Sequence, residues 1–132
     1  NEFGLVDALA NLCREVNQST EIHVEFVHRN FSIEISDKIS TYLYRISQEA
    51  LNNIIKHSKA TNASITLKSS KNKVSLSVND NGVGFSYTDH KKMCGNGISN
   101  MKERVLLLGG SIEINTLKQK GTQINIAIPL KR

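Results

Sequence analysis

Five short runs of this chain alternate apolar and polar side chains residue by residue. They are Ile22, Val24 and Phe26; Ala63, Ile65 and Leu67; Val74, Leu76 and Val78; Ile112 and Ile114; and Ile124, Ile126, Ile128 and Leu130. A strand turns successive side chains to opposite faces, so each run presents one apolar face. The positions between are mostly polar, as in Ser64, Thr66 and Lys68, Ser75 and Ser77, Glu113 and Asn115, and Gln123 and Asn125. One face of the sheet is therefore wet, and the other must be covered by helices. The pattern predicts a two-layer α/β sandwich (α+β): a mixed, mainly antiparallel sheet with helices on one face.

The covering helices are legible from spacings of three and four. Leu5, Leu9, Leu12 and Val16 predict one over about 5–17. Ile39, Leu43, Ile46, Ala50, Ile54 and His57 predict a long central helix ending near Ser58, with Ser36 and Asp37 as cap candidates. Ile98, Met101, Val105 and Leu108 predict a third, stopped by a left-handed cap at Gly109-Gly110. Turns at 69–73 and 118–121 make two hairpins of the last four strands, and Pro129 suits a strand that is finishing or at an edge. The polar stretch 85–95 has no usable period and reads as a mobile loop.

With 132 residues, 39% of them hydrophobic, the chain supports one core, so 1–132 is read as a single domain. The net charge of +5 permits an anionic partner, but Lys71, Lys73, Lys91, Lys92, Lys118, Lys120, Lys131 and Arg132 fall mostly in turns or at the terminus. Aromatics, at 5%, supply no stacking row beside them, so no nucleic-acid partner is expected. No apolar run approaches the ~20 residues of a membrane span. Direct membrane contact is not expected. Two cysteines, Cys13 and Cys94, make no disulfide framework, which fits a reducing cytosol. Position 1 is Asn, and the expectation is a piece of a longer protein whose anchoring or sensing segments lie upstream.

Asp80 stands out from the strand pattern. It is in phase with Val74, Leu76 and Val78 and so points to the core side, where a carboxylate is costly without hydrogen-bond donors. Asn-Gly-Val-Gly follows it at 81–84, and Gly82 and Gly84 allow a turn and a close approach to a flat or bulky ligand. On the central helix Glu49, Asn53 and Lys56 share one flank, with His57 beside them. Glu and Asn oxygens suit magnesium, and Lys56 and His57 can meet phosphate oxygens, although an ordinary polar helix face has the same composition. Gly95-Asn96-Gly97 precedes the third helix, whose N-terminus attracts anions, although many helices begin after a loop glycine. Thr122 is in phase with Ile124 and points inward, as a hydroxyl for a ligand or as a β-branched core residue.

Taken together these motifs resemble the ATP-binding domain of histidine kinases, a superfamily shared with DNA gyrase, a mismatch-repair ATPase and a heat-shock chaperone. Glu49-Ala-Leu-Asn-Asn53-Ile-Ile-Lys-His57 is similar to the N box, Asp80-Asn-Gly82-Val-Gly84 to the G1 box and Gly95-Asn-Gly97-Ile98 to the G2 box. The run from Gly97 to Gly110 and the Gly121-Thr122 pair resemble the short-lid subgroup of two-component sensor kinases, and Phe3 to Leu9 resembles the usual domain start. The resemblance implies a Bergerat-type fold in which Asp80 accepts from the adenine amino group and Asn53 ligates Mg2+. It implies that Thr122 helps hold a water against the base, that Gly82 and Gly84 let it lie close, and that the Gly95, Asn96, Gly97 and Ile98 backbone covers the phosphates. Lys56 and His57 would face the phosphate chain, and Glu49 would orient water or assist proton removal. No separate F box is evident between Gly84 and Gly95, so a short lid that orders only with nucleotide and magnesium is expected.

The implied function is Mg-ATP binding and transfer of the γ-phosphoryl to a histidine on a separate dimerisation domain. His23, His28, His57 and His90 offer no helical His-Asp or His-Glu setting of the acceptor type. The implied partners are the phosphoacceptor and dimerisation helices of the parent chain, a homodimer, and the receiver domain of a response regulator. The implied place is a cytoplasmic domain, and a membrane-anchored parent is compatible with it. A superfamily ATPase, or a protein-serine kinase of the anti-sigma-factor kind, is the alternative.

Overall fold

The computed structural model describes residues 2–29, 35–70, 72–83, 97–117 and 120–130. In order the elements are α1 (Glu2–Ser19), β1 (His23–Arg29), α2 (Asp37–Asn53), a π-helical turn (Ile54–Ser58), β2 (Asn62–Ser69), β3 (Lys73–Asp80), α3 (Gly97–Leu107), β4 (Ser111–Leu117) and β5 (Gly121–Pro129). The five strands lie in the order β1-β2-β3-β5-β4. β1 runs parallel to β2, and the other three pairings are antiparallel. The expected mixed, mainly antiparallel sheet is thus the observed one. Its single parallel pair follows from chain connectivity, because α2 carries the chain from β1 back across the sheet to β2.

Local chemistry explains where the helices begin and end. Ser36 caps α2, its Oγ accepting from the Ile39 N–H at 3.2 Å. At the end of α3 the Gly109 N–H donates to Leu106 O and the Gly110 N–H to Val105 O, both at 2.9 Å. This is a Schellman closure, and it requires the left-handed φ of +73° that Gly109 adopts without strain. Gly110 then passes so close to β5 that a Cβ there would lie 2.5 Å from Ala127 O and from Ile128 Cδ1.

The core lies between sheet and helices, as the alternation requires. Leu9, Leu43, Ile46, Leu51, Ile65, Leu67, Val74, Leu76, Met101, Val105 and Ile128 are buried, while Lys68, Glu113, Asn115 and Gln123 on the other face are exposed. On α1 the buried stripe takes in Cys13, and Leu12 is only partly covered. Burial pushes the Cys13 thiol up to about 11, so it acts as a small apolar residue. Pro129 pairs with Lys73 at the end of β5, which lies inside the sheet; of the two expected placements, the finishing strand is the observed one. Among the described residues no helix is long and apolar enough to cross a membrane.

The topology gathers specific chain ends. β3 and β4 both run antiparallel to β5, so α3 is a crossover that begins near the end of the sheet where β3 stops. The start of β2, the start of β5 and the exit of α2 lie at that same end. Asp80, Asn62, Thr122, Asn53 and Gly97 are therefore brought to one edge of the layer interface by connectivity alone.

Candidate functional site

Asp80 closes β3 between two neighbours, in register with Ala63 of β2 and Thr122 of β5. It is half-buried on the core side, as its phase predicts. Its Oδ1 accepts the Gly82 N–H at 2.7 Å, and the Thr122 backbone donates to the carboxylate as well. Burial raises the carboxyl above its ordinary range, and these two bonds only partly offset that. Two cavities border Asp80, and both open on the wet face of the sheet. One, of about 350 Å³, is lined by His23, Glu25, Asn62, Ser64, Asn79 and Asn81 among others; the second, of about 300 Å³, by Asn79, Asn115, Lys120, Gly121 and Gln123 among others.

Thr122 is buried, its Oγ1 lying 3.1 Å from Thr116 Oγ1. Gly121, before it, has φ +91°, and a Cβ there would stand 2.1 Å from the Asp80 carbonyl oxygen. A side chain at 121 would push β5 off Asp80. The Lys-Gly-Thr turn signal contained this residue, but a contact with Asp80 is not readable from the chain.

Asn53 ends α2, and its Nδ2 is buried with no hydrogen-bond partner among the described residues. A buried amide atom without a protein partner is one to which a water, an ion or a ligand group can supply the missing contact. Because amide oxygen and nitrogen exchange by a half-turn, the same position can present Oδ1, a hard oxygen ligand. No group of three or more His, Cys, Asp or Glu side chains among the described residues could hold a metal by itself. A metal that keeps waters and substrate phosphates in its shell, as magnesium does, fits a single amide of this kind.

Just after Asn53 the helix widens into the π turn that carries Lys56, which is exposed, and the backbone of His57. It ends at Lys59, a non-glycine residue at φ 56°. A π turn is often found at functional sites, and the three-and-four spacing cannot distinguish it from an α-helix.

Glu49 meets a partner that the sequence reading lacked: Arg104 Nη1 of α3 lies 2.7 Å from its Oε1. The pair ties α2 to α3 and fixes where the Glu49 carboxylate points. Gly82 is seen through its N–H bond to Asp80, and Gly97 opens α3. Gly84, Gly95 and Asn96, and the 85–95 loop with Cys94, lie outside the described residues, as do the side chains of His57 and Ile98.

Comparison with known proteins is consistent with this geometry. A family model described as histidine kinase-, DNA gyrase B- and HSP90-like ATPase matches residues 38–132. The chain is 35% identical to the signal transduction histidine-protein kinase/phosphatase DegS of Brevibacillus brevis, the match covering 98% of this chain and 33% of that protein. It is likewise 35% identical to the sensor histidine kinase LiaS of Bacillus subtilis strain 168, over 96% of this chain and 34% of that one. The chain thus spans about a third of the length of these relatives. Among solved structures, the histidine kinase domain of the Erythrobacter litoralis EL346 blue-light activated kinase superposes with a TM-score of 0.74 at 20% identity, covering 98% of this chain and 60% of that one. The Acinetobacter baumannii histidine kinase AdeS gives 0.74 at 17%, covering 98% and 64%. These two likenesses establish the fold.

The raised Asp80 carboxyl has a signed consequence. The folded chain holds this proton more tightly than the unfolded one, so the group's contribution to stability is present at low pH and is lost as pH rises through its titration. Asp80→Asn keeps an oxygen for the Gly82 N–H and has no charge to desolvate. We expect it to melt at or above the wild-type temperature near pH 7, the difference closing below about pH 4 as the wild-type carboxyl protonates. Thermal melts of both proteins across that range check this, and a variant melting well below wild type at neutral pH would contradict it.

Proposed function

The chain belongs to the histidine kinase-, DNA gyrase B- and HSP90-like ATPase family, and from that premise we propose that it binds Mg-ATP and donates the γ-phosphoryl to a histidine on a separate dimerisation domain of its parent. The observation that carries the reading is Asp80, a half-buried carboxylate on the core side at the end of β3, beside Gly82 and Thr122. Carboxyls whose ionisation is disfavoured by burial are found disproportionately at functional sites. The names of the two relatives above, both histidine kinases, support the histidine acceptor over a serine.

In this reading Asp80 accepts a hydrogen bond from the adenine amino group, and Gly82 with Gly84 leaves room for the ring. Thr122 helps hold a water against the base. Lys56 and His57 face the phosphates, and the backbone from Gly95 through Asn96 and Gly97 to Ile98 covers them. Asn53 is the protein ligand to magnesium, which when bound neutralises charge on the β- and γ-phosphates. Glu49 orients water or takes up a proton, within the geometry that Arg104 imposes on it. The domain contributes positioning and charge compensation, with no covalent step of its own. The acceptor helices, a receiver domain as the next phosphoryl acceptor and a homodimeric parent, cytoplasmic at this domain, complete the scheme.

Asp80→Asn places a donor opposite the adenine amino group and removes a charge-assisted bond worth roughly 1.5–3 kcal/mol, or about 10- to 100-fold in ATP affinity. Asn53→Ala weakens binding in magnesium and leaves it unchanged in EDTA. Calorimetric titration with and without the metal reads both, and an Asp80→Asn protein that binds ATP like wild type removes the adenine assignment.

Incubated alone with ATP, the 132-residue chain is expected to form no acid-labile phosphohistidine, and to phosphorylate separately supplied acceptor helices. Phosphohistidine on the chain itself would place the acceptor within these residues.

A further inference from the structure

Asn81 stands beside the adenine anchor with every polar atom of its side chain engaged. Its Oδ1 accepts the Asn62 N–H at 2.9 Å and the Thr61 N–H at 3.0 Å, and its Nδ2 donates to Thr61 Oγ1 at 2.9 Å. Two backbone donors converging on one atom require an oxygen there, which settles the orientation of the amide. Thr61 Oγ1 lies 3.0 Å from Asn62 Oδ1 and can pass its own proton there, so the bonds form a directed chain. The Asn81 N–H adds a fourth link, to Asn62 O at 3.1 Å, and Thr61 O accepts the His23 N–H at 2.9 Å, joining β1 to the same knot.

The position of this knot gives it a functional meaning. Asn81 follows the last residue of β3 and precedes Gly82, whose N–H holds Asp80 Oδ1. On the opposite side Gly121 presses on the Asp80 carbonyl, its missing Cβ leaving room 3.2 Å from Asn81 Cα. The turn that aims the Asp80 carboxylate is thus pinned by β5 on one flank and by Asn81 on the other. Thr61 and Asn62 are also where the chain arrives from the π turn after Asn53 and Lys56. One amide therefore joins the exit of the helix that carries Asn53 to the turn that carries Asp80.

We propose that Asn81 is a positioning residue of the nucleotide site: by bonding Thr61 and Asn62 it holds the Asp80-Gly82 turn so that the carboxylate meets the purine 6-amino group. This rests on the ATP-binding reading above. A residue that served folding alone would, when lost, lower affinity for every nucleotide alike. A residue that aims Asp80 would, when lost, erase the preference for a 6-amino group.

The test compares ATP with inosine triphosphate, which carries an oxygen at position 6. Wild type should favour ATP by at least about 10-fold, since a site built to bond a group rejects an analogue that lacks it. Asn81→Ala should lower ATP affinity by about 10-fold and bring the ATP-to-ITP ratio near one, with circular dichroism like that of wild type. A ratio unchanged in Asn81→Ala, whether both affinities fall together or neither moves, overturns the proposal. Should Asn81→Ala not fold, Thr61→Val carries the test, because it removes only the two Oγ1 contacts, to Asn81 and Asn62, and keeps the β-branched shape: a reduced ratio supports the assignment and a wild-type ratio overturns it. A wild-type domain that does not bind ATP, or does not distinguish it from ITP, defeats the ATP reading itself, and the proposal with it.

Discussion

A carboxylate on the core side of an interior strand is the constraint around which this domain is arranged. Asp80 cannot be moved one residue along β3 without passing to the wet face, because side-chain direction alternates. Nor can it sit unsupported, since desolvation of its charge is the largest influence on it. The fold answers with strands on both sides. β2 and β5 pair with β3 along its length, Gly82 and Thr122 supply N–H groups, and Gly121 allows β5 to approach closer than any other residue could. An edge strand would leave one of these flanks to water and the carboxylate free to swing.

Interior placement of β3 in turn depends on β5 inserting between β3 and β4. The chain does this by crossing over with α3 before forming the last hairpin, and α3 can cross only if its far end turns tightly onto the sheet. The Gly109 closure and the close pass of Gly110 over Ala127 and Ile128 provide that turn. Met101 and Val105 then seat α3 on the core, and the Arg104–Glu49 contact sets its rotation against α2. A capping glycine remote from Asp80 is therefore part of what makes β3 an interior strand.

Much of this arrangement is legible in the sequence. Period-two alternation identified all five strands and their wet face, because burial on one side leaves a direct imprint on composition. The three-and-four spacing located the helices, Ser36 announced its cap, and the phase of Asp80 put it inward. What stayed hidden depends on distances between remote segments. Nothing in His23–Arg29 distinguishes a parallel from an antiparallel partner, since both present the same alternation. The π turn keeps the apolar spacing of the helix before it, and Arg104 is one cation among many until α3 is docked. Asn81 draws no role of its own in the motif, where the turn is read from Gly82 and Gly84; that its amide reaches back across the sheet end to Thr61 and Asn62 follows from strand register, which a local pattern does not encode.

The two ends of the proposed nucleotide site are built on different principles. At the base end, the hydrogen bonds of Asp80, Gly82, Asn81, Thr61 and Asn62 link the end of β3 to the start of β2, and the Thr61 carbonyl adds the start of β1 through the His23 N–H, all without a ligand. Side chains held on strands by neighbouring bonds give the angular precision that recognising one amino group needs. At the phosphate end, Asn53 has a buried amide atom with no partner among the described residues, Lys56 is exposed, and both sit where an α-helix loosens into a π turn. In the proposed site, a base end built from hydrogen-bonded strand ends would let the base select the nucleotide, while the helix end would take its remaining contacts from the phosphates.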